Sequence, residues 1–181
     1  MINDKITNAK IQLLHPEIRQ KATEAYIEIQ DRLASKNRIF RFYDTHRTPE
    51  DQNAKYALGR TVKNTVGVRP DRPMGAIVTM ARGWQSYHNF ALAIDAGLLV
   101  DMDGNGSYEA LKYEGDYDKD GIDDFMEAVF VMKSHGFEWA GEWKTFKEFP
   151  HFQFTFDKTV TELYSRIKAG LVDKQGFVRI Y

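Results

Sequence analysis

The side chains best suited to chemistry are two histidines and one aspartate in the second half of the chain. His88 and Asp95 lie seven positions apart, and His151 follows much later. Asp95 is set in an apolar run, which predicts a strand that is buried on both faces. A buried carboxylate needs a cation, a metal or several hydrogen bonds to compensate its charge. Two imidazoles and one carboxylate form a zinc site with a fourth position open to water. The alternative is one structural aspartate and two unrelated histidines.

An acidic segment between Asp95 and His151 has the spacing of a calcium-binding loop. Carboxylates fall at positions 1, 3 and 5, a glycine at 6 and a glutamate at 12, as in an EF-hand. These and the remaining ligand positions are Asp116, Asp118, Asp120, Gly121, Ile122 through its carbonyl, Asp124 and Glu127. Two features depart from the pattern: Asp123 replaces the usual aliphatic residue at position 8, and no clear entering helix precedes the loop. We expect calcium to order this loop, and the alternative is a solvated acidic loop.

A second acidic run lies just upstream and begins in the same way. Asp101, Asp103, Asn105 and Gly106 repeat the first half of the pattern, but Lys112 stands at position 12. A lysine cannot supply the bidentate carboxylate that belongs there. This run therefore predicts a weak site or a turn.

Charge is distributed unevenly although its total is close to zero. The 181-residue chain has a formal net charge of −1, yet residues 101–127 contain ten acidic and two basic residues. This segment therefore carries −8 and the rest of the chain +7. A basic body suits an anionic polymer such as nucleic acid or bacterial wall. Nucleic acid is disfavoured because the positive charge is dispersed and forms no basic stripe.

The chain contains no cysteine, which excludes disulfides, thiolate zinc ligands and cysteine nucleophiles. Residues 1–6 contain no apolar signal core, and no window approaches the length of a membrane span. We therefore expect synthesis in the cytoplasm without a classical export signal, and no membrane contact.

Hydrophobic periodicity predicts an α+β protein in which helices pack on a small antiparallel sheet. Steps of three and four residues indicate a helix at 13–35, and Pro16 in its first turn makes His15 a capping residue rather than a ligand. The other predicted elements are strands at 38–44 and 76–80, helices from Pro49 to near Gly59, at 125–135 and at 159–168, and a strand that begins at His151. Residues 60–75 and 101–124 are predicted loops, and a polar tail follows the last helix.

The strand that begins at His151 alternates strictly. His151 and Gln153 face one side, whereas Phe152 and Phe154 face the other. The imidazole is therefore expected to project from a rigid strand whose opposite face belongs to the core.

Taken together, these segments resemble the family of zinc D-alanyl-D-alanine carboxypeptidases and L-alanyl-D-glutamate endopeptidases, which includes bacterial wall hydrolases and phage endolysins. The resemblance covers roughly residues 13–157. Four anchors carry it in order: Thr45-His46-Arg47-Thr48 with Gln52; Gly59-Arg60-Thr61; Ser86-Tyr87-His88 through Asp95; and residues 136–144 running into Pro150-His151-Phe152. It implies one domain over residues 1–181 of the hedgehog and D-Ala-D-Ala peptidase type, with the acidic loop 101–127 inserted between zinc ligands.

The resemblance also implies roles for individual residues. The family's zinc ligands match His88, Asp95 and His151. Its catalytic acid/base matches Glu148, and its arginine that contacts substrate and developing oxyanion matches Arg47. The implied substrate-binding set is Arg47, Gln52 and Ser86.

The chain departs from the family pattern at three positions without losing a ligand. Phe90 stands where glycine is usual, and Ala140 replaces a glycine in the tryptophan motif. The base is Glu148 where many relatives have aspartate, which lengthens its side chain by one methylene.

The function implied is that of a zinc metallopeptidase that hydrolyses peptidoglycan stem peptides. An L-alanyl-D-glutamate endopeptidase is favoured over a D-alanyl-D-alanine carboxypeptidase because the anchors at 45–61 and 84–95 are closer to the endopeptidase branch. A non-catalytic wall-binding domain is the alternative of another class, and the retained Glu148 argues against it because a structural zinc needs no base. We expect an endolysin-like, calcium-regulated monomer that reaches the wall through lysis or a membrane pore.

Overall fold

Contacts within the chain define two units in the computed structural model, which describes residues 4–33, 37–108 and 110–181. The first unit comprises the chain up to His46 together with Leu92–Thr155, and the second comprises Arg47–Ala91 with Phe156–Tyr181. Residues 1–3, the end of the predicted helix at 34–35, and Glu109 of the acidic segment lie outside the described residues.

Helices and strands are interspersed along the described part of the chain. The helices are α1 (Lys5–Gln12), α2 (Pro16–Leu33), α3 (Pro49–Ala57), α4 (Asp124–Ser134) and α5 (Val160–Lys168). The strands are β1 (Arg38–Asp44), β2 (Ala93–Val100), β3 (Ala110–Lys112), β4 (Glu138–Trp139) and β5 (His151–Gln153). Two short 3₁₀ helices lie at Tyr87–Phe90 and Ala140–Glu142. No helix in the described ranges is long and apolar enough to cross a bilayer.

The first unit is built on a five-stranded antiparallel sheet. Its strand order is β1-β2-β5-β4. Strand β3 pairs with the C-terminal end of β2, whereas β5 pairs with the N-terminal end of β2. Phe40 and Phe42 on β1 and Phe152 on β5 are fully buried, and the ring of Phe40 contacts each of the other two edge to face. Helices α1 and α2 pack on β1, and α2 also packs on α4. The predicted α+β class is confirmed.

The helix predicted at 13–35 is confirmed as α2, which begins at Pro16, and the separate helix α1 that precedes it was not predicted. Asp4 caps α1 by accepting from the amide of Thr7 at 3.2 Å. The chain then breaks before Pro16, whose nitrogen has no hydrogen to donate to a preceding turn. His15 lies at this break, where its Nδ1 accepts from the amide of Glu17 at 3.3 Å. Its predicted capping role is confirmed.

One predicted strand is absent, and one predicted loop contains a strand. No strand forms at 76–80, since Ala76 donates to the carbonyl of Val66 at 2.8 Å and the carbonyl of Thr79 accepts from Arg60 at 3.0 Å. Conversely, the predicted loop at 101–124 contains β3, which pairs with the end of β2. Three residues are too few to show an alternating pattern.

The second unit contains α3, α5 and the C-terminal segment. Thr48 caps α3 and Thr159 caps α5 in a capping box, as the predicted helix starts require. The prediction of a polar tail after the last helix is wrong. Val178 and Ile180 are buried, and the carbonyl of Arg179 accepts from Arg166 at 3.0 Å. Apolar side chains at alternate positions of this short segment therefore join the core of the unit.

Candidate active site

Asp95 and His151 form a largely buried pair in the first unit. They are register partners on the neighbouring strands β2 and β5, so their side chains leave the sheet on the same face. Nδ1 of His151 lies 3.1 Å from Oδ1 of Asp95. The side chain of His151 is 6% exposed and that of Asp95 is 17% exposed. The strand positions predicted for both residues are confirmed, although β5 ends at Gln153, earlier than the alternation indicated.

The other ring nitrogen of His151 is also held. Nε2 lies 3.2 Å from Oε1 of Gln153, two positions along the same strand. The amide nitrogen of Gln153 in turn donates to Glu138 on β4 at 2.9 Å. The Trp143 ring lies 5.6 Å from the imidazole. Gln153 and Glu138 were not predicted as site residues; the alternation on β5 placed Gln153 on the histidine face but gave no chemical reason to select it.

The surroundings of His151 favour positive charge. Burial disfavours the imidazolium and by itself lowers the pKa of His151. The hydrogen bond and charge of Asp95, with the charge of Glu148, outweigh burial and raise the pKa above its ordinary 6.5. Imidazole nitrogens and carboxylate oxygens are also common ligands of zinc. Asp95 and His151 therefore fit a bound cation.

Two tyrosines that sequence reasoning missed lie close to the Asp95 charge. The hydroxyls of Tyr43 and Tyr113 are 3.0 Å apart. Burial, then the contact with Tyr113, then the charge of Asp95 raise the pKa of Tyr43. Burial likewise raises the pKa of Tyr113, although its hydrogen bond with Tyr43 opposes the change. Both phenols therefore remain neutral beside the carboxylate.

Glu148 lies in the turn that enters β5. Its amide donates to the carbonyl of Ala140 at 3.4 Å, and its own carbonyl accepts from the amide of His151 at 3.1 Å. Trp139 reinforces the turn by donating from its indole to the carbonyl of Phe149 at 2.8 Å. The half-buried Glu148 carboxylate is close enough for its charge to raise the pKa of His151, behind burial and Asp95 in influence.

Arg47 is a buried arginine at the start of the second unit. Its Nη1 donates to Oε1 of Gln52 at 2.6 Å, and the two residues are 7% and 0% exposed. The Gln52 amide nitrogen donates to the carbonyl of Ala81 at 2.7 Å. Helix α3 supplies Gln52 one turn after its Thr48 cap. Gln52 therefore fixes the position of the Arg47 guanidinium.

His88 lies on the first 3₁₀ helix of the second unit and is buried. Ser86 caps this helix by accepting from the amide of His88 at 3.3 Å. The carbonyl of His88 accepts from the amide of Arg47 at 3.1 Å, and Asn89 donates to the carbonyl of Arg47 at 2.9 Å. The segment with His88 is thus tied to the segment with Arg47. The sequence offered no reason to select Asn89, because its side chain binds the backbone of a residue far away in the chain.

Phe90 and Trp84 pack inside the second unit. Phe90 is 3% exposed, and its ring lies 5.9 Å from that of Trp84. Trp84 also stacks on Tyr164 of α5 at 5.0 Å. The phenylalanine at a position where glycine is usual is therefore accommodated by aromatic packing.

The residues predicted to bind calcium are brought together in the first unit. One carboxylate oxygen each from Asp116, Asp118 and Asp124 lie within 4.8 Å of one another. Oxygens of Asp118, Asp120 and Glu127 form a second such group. Ile122 follows in the same loop, where its amide donates to Asp120 at 2.8 Å. The upstream run forms a turn, since Asp101 accepts from the amides of Gly104, Asn105 and Gly106.

Comparison with known proteins identifies the family. Residues 79–154 match the sequence model described as D-alanyl-D-alanine carboxypeptidase. The chain is 36% identical over 140 residues to the peptidoglycan L-alanyl-D-glutamate endopeptidase CwlK of Bacillus subtilis (strain 168), covering 77% of this chain and 72% of that protein. The solved Serratia marcescens L-Ala D-Glu endopeptidase ChiX matches with 18% identity and a TM-score of 0.48, over 84% of this chain and 88% of that chain.

This chain belongs to the D-alanyl-D-alanine carboxypeptidase family of metallopeptidases. The matched segment contains all of the residues that the sequence assigned to zinc binding and to proton transfer, namely His88, Asp95, Glu148 and His151. Arg47 and Gln52 precede it.

Proposed function

We propose that this protein is a zinc endopeptidase that hydrolyses the L-alanyl-D-glutamate bond of peptidoglycan stem peptides. The observation that carries the proposal is the largely buried Asp95–His151 pair, joined across β2 and β5 at 3.1 Å. The 36% identity to a protein named as a peptidoglycan L-alanyl-D-glutamate endopeptidase supports the substrate and the bond. We further propose that the enzyme acts on the bacterial wall as a monomer.

His88, Asp95 and His151 are the proposed zinc ligands. Asp95 and His151 offer oxygen and nitrogen donors from rigid strands, and Gln153 holds the second ring nitrogen of His151. Such support of a ligand histidine is typical of metal sites. His88 is assigned by its spacing to Asp95 within the matched segment. Bound zinc supplies a Lewis acid that polarises the scissile carbonyl and acidifies water. The calcium prediction concerns the separate acidic loop and is a separate proposal.

Glu148 is the proposed acid/base. Amide hydrolysis requires a group that takes a proton from water and delivers it to the leaving amine. The turn between Ala140 and β5 holds Glu148 at both its amide and its carbonyl. Its charge acts on His151, which is consistent with a carboxylate directed toward the same region.

Arg47 is the proposed contact for anionic groups. A guanidinium can pair with a substrate carboxylate or stabilise the oxyanion that develops during hydrolysis. Gln52 accepts from one of its nitrogens and limits the rotation of the side chain. Gln52 therefore acts as a positioning residue, whereas Ser86 is proposed to contact substrate from the cap of its 3₁₀ helix.

A D-alanyl-D-alanine carboxypeptidase is the second candidate, because the matching family model carries that description. The two activities leave different products. Endopeptidase cleavage exposes a new amino group on D-glutamate, whereas carboxypeptidase cleavage releases free D-alanine and leaves the stem attached.

The test is digestion of purified peptidoglycan by the zinc-loaded protein, followed by mass spectrometry of the soluble products. The matched control is Glu148→Gln, which removes the proposed base and keeps the size of the side chain. We expect the wild type to expose D-glutamate amines and the variant to release little. Release of D-alanine alone would select the carboxypeptidase. Binding to the wall without any cleavage would instead support the alternative of a non-catalytic wall-binding domain.

A further inference from the structure

The acidic loop at residues 116–127 contains two overlapping groups of carboxylates. Two groups of three share Asp118, and within each group the oxygens lie within 4.8 Å of one another. Calcium binds oxygen at about 2.3–2.6 Å, so two ligands of one ion can lie up to roughly 5 Å apart. The spacing of the oxygens within each group therefore suits a calcium ion, and Asp118 belongs to both groups.

Two carboxylate oxygens in this loop are buried and lack a hydrogen-bond partner among the described residues. They are Oδ1 of Asp124 and Oε2 of Glu127. Asp124 is completely buried, and its other oxygen accepts from the amide of Tyr117 at 2.9 Å. Leaving a buried charged oxygen without a partner is costly. Because both residues belong to the carboxylate groups, a cation bound by those groups would satisfy these oxygens.

The protein itself supplies only part of the required positive charge. Arg38, whose side chain is 2% exposed, forms ion pairs with Asp118 at 2.5 Å and with Asp124 at 3.2 Å. The five clustered carboxylates thus outnumber the nearby basic groups, which include Arg38, Arg32 and Lys119 of the loop itself. The cluster remains strongly electronegative with Arg38 in place.

The structure also explains a departure from the EF-hand pattern. Asp123, in place of an aliphatic residue, is the N-cap of α4 and accepts from the amide of Met126 at 2.9 Å. Its second oxygen accepts from the amide of Gly115. Asp123 is therefore used to start the exiting helix. Strand β3 leads into the loop where an EF-hand would have its entering helix.

We infer that residues 116–127 form a calcium site whose ligands come from Asp116, Asp118, Asp120, Asp124 and Glu127, with the carbonyl of Ile122. Oxygen ligands of this number and charge select calcium over softer metals. Calcium binding at this site requires neither bound zinc nor the proposed peptidase activity. Calcium there stabilises the start of α4, where Phe125 packs on Phe40, Tyr113 and Trp139.

The experiment is calorimetric titration of the zinc-loaded, full-length protein with calcium chloride, paired with thermal unfolding at the same calcium concentrations. The test variant is Glu127→Gln, which removes the carboxylate at position 12. The matched control is Glu114→Gln, because Glu114 is an exposed acid two residues before the loop and outside both carboxylate groups. A second test variant, Asp120→Asn, changes an exposed side chain and leaves the buried ones intact.

We expect about one calcium per chain with a Kd below roughly 1 mM, the weak limit for extracellular calcium modules. Saturating calcium should raise the Tm of the wild type and of Glu114→Gln by about 5–10 °C. Both test variants should bind at least about tenfold more weakly, since each loses one charged ligand. Absence of binding by the wild type at several millimolar calcium would overturn the inference. Equal binding by the wild type and Glu127→Gln would also overturn it.

Discussion

Nη1 of Arg47 donates to Oε1 of Gln52 at 2.6 Å, and the amide of Gln52 is itself held by the carbonyl of Ala81 at 2.7 Å. Both side chains are buried. A planar guanidinium that is already oriented loses little freedom when it meets a carboxylate or an oxyanion. Gln52 on α3 therefore affects the proposed hydrolysis by orienting the guanidinium of Arg47.

Removing Arg47 or its support should slow hydrolysis to different extents. Arg47→Ala should lower kcat/KM by on the order of 10²–10³, the usual effect of losing an oxyanion donor. Gln52→Met, which keeps the volume and loses the hydrogen bonds, should have a smaller effect. The double variant should be no slower than Arg47→Ala, since Gln52 acts through the arginine. Arg69→Ala, at an exposed arginine of the same unit, is the control. Multiplicative losses in the double variant would show that Gln52 acts independently.

Glu148→Gln should separate catalysis from metal binding. Turnover should fall by on the order of 10²–10⁴, the usual contribution of a positioned acid/base, while zinc content and Tm remain those of the wild type. Glu142→Gln is a matched control, because Glu142 is an exposed acid of the preceding segment that pairs with Lys133. Steady-state kinetics and metal analysis of both variants provide the test. Loss of zinc from Glu148→Gln would make the residue a ligand.

Asp4 should make stability depend on pH. Burial alone raises its pKa, but hydrogen bonds from Arg41 and Thr7 and the charge of Arg41 outweigh burial and leave the pKa below 3.8. The stabilisation is therefore present above about pH 3.8 and is lost as the pH falls through the lowered folded pKa. Asp4→Asn should lower the Tm at pH 7 and have little effect near pH 2. Asp31→Asn, at an exposed acid of α2, is the control. An equal drop at both pH values would contradict the ionic explanation.

Calcium should also affect hydrolysis, if both the peptidase function and the calcium site hold. Phe125 at the start of α4 contacts Trp139, which bonds to the carbonyl of Phe149 beside Glu148. Ordering α4 should therefore steady the turn that carries the base. Asp118→Ala combined with Glu127→Gln should retain zinc and hydrolyse at the calcium-free rate of the wild type, whatever the calcium concentration. Glu114→Gln should respond as the wild type does. A calcium-binding wild type with an unchanged rate would leave the site intact and refute only the coupling.

The sequence predicted those helices and strands that depend on residues close together in the chain. β1 has the predicted bounds, and α3 begins at Pro49 because Thr48 caps it. The predicted helix at 125–135 became α4, with Asp123 as its cap. Each of these depends on periodicity or on a capping residue that is visible within one turn.

Contacts between distant segments could not be predicted in the same way. Tyr43 meets Tyr113, and Arg38 meets Asp118, only because the register of β1, β2 and β3 brings them together. A shift of one residue would turn each side chain to the opposite face. The pairing of Asp95 with His151 was expected from the family resemblance, since nothing local to either residue specifies it.

The most direct test of the zinc peptidase is metal analysis combined with the rate of peptidoglycan hydrolysis, before and after chelation. About one zinc per chain is expected, with activity lost on removal and restored by added zinc. His151→Ala should lose zinc and show a lower Tm together, because metal binding contributes to folding. Full hydrolytic activity in protein shown to be free of metal would contradict the account.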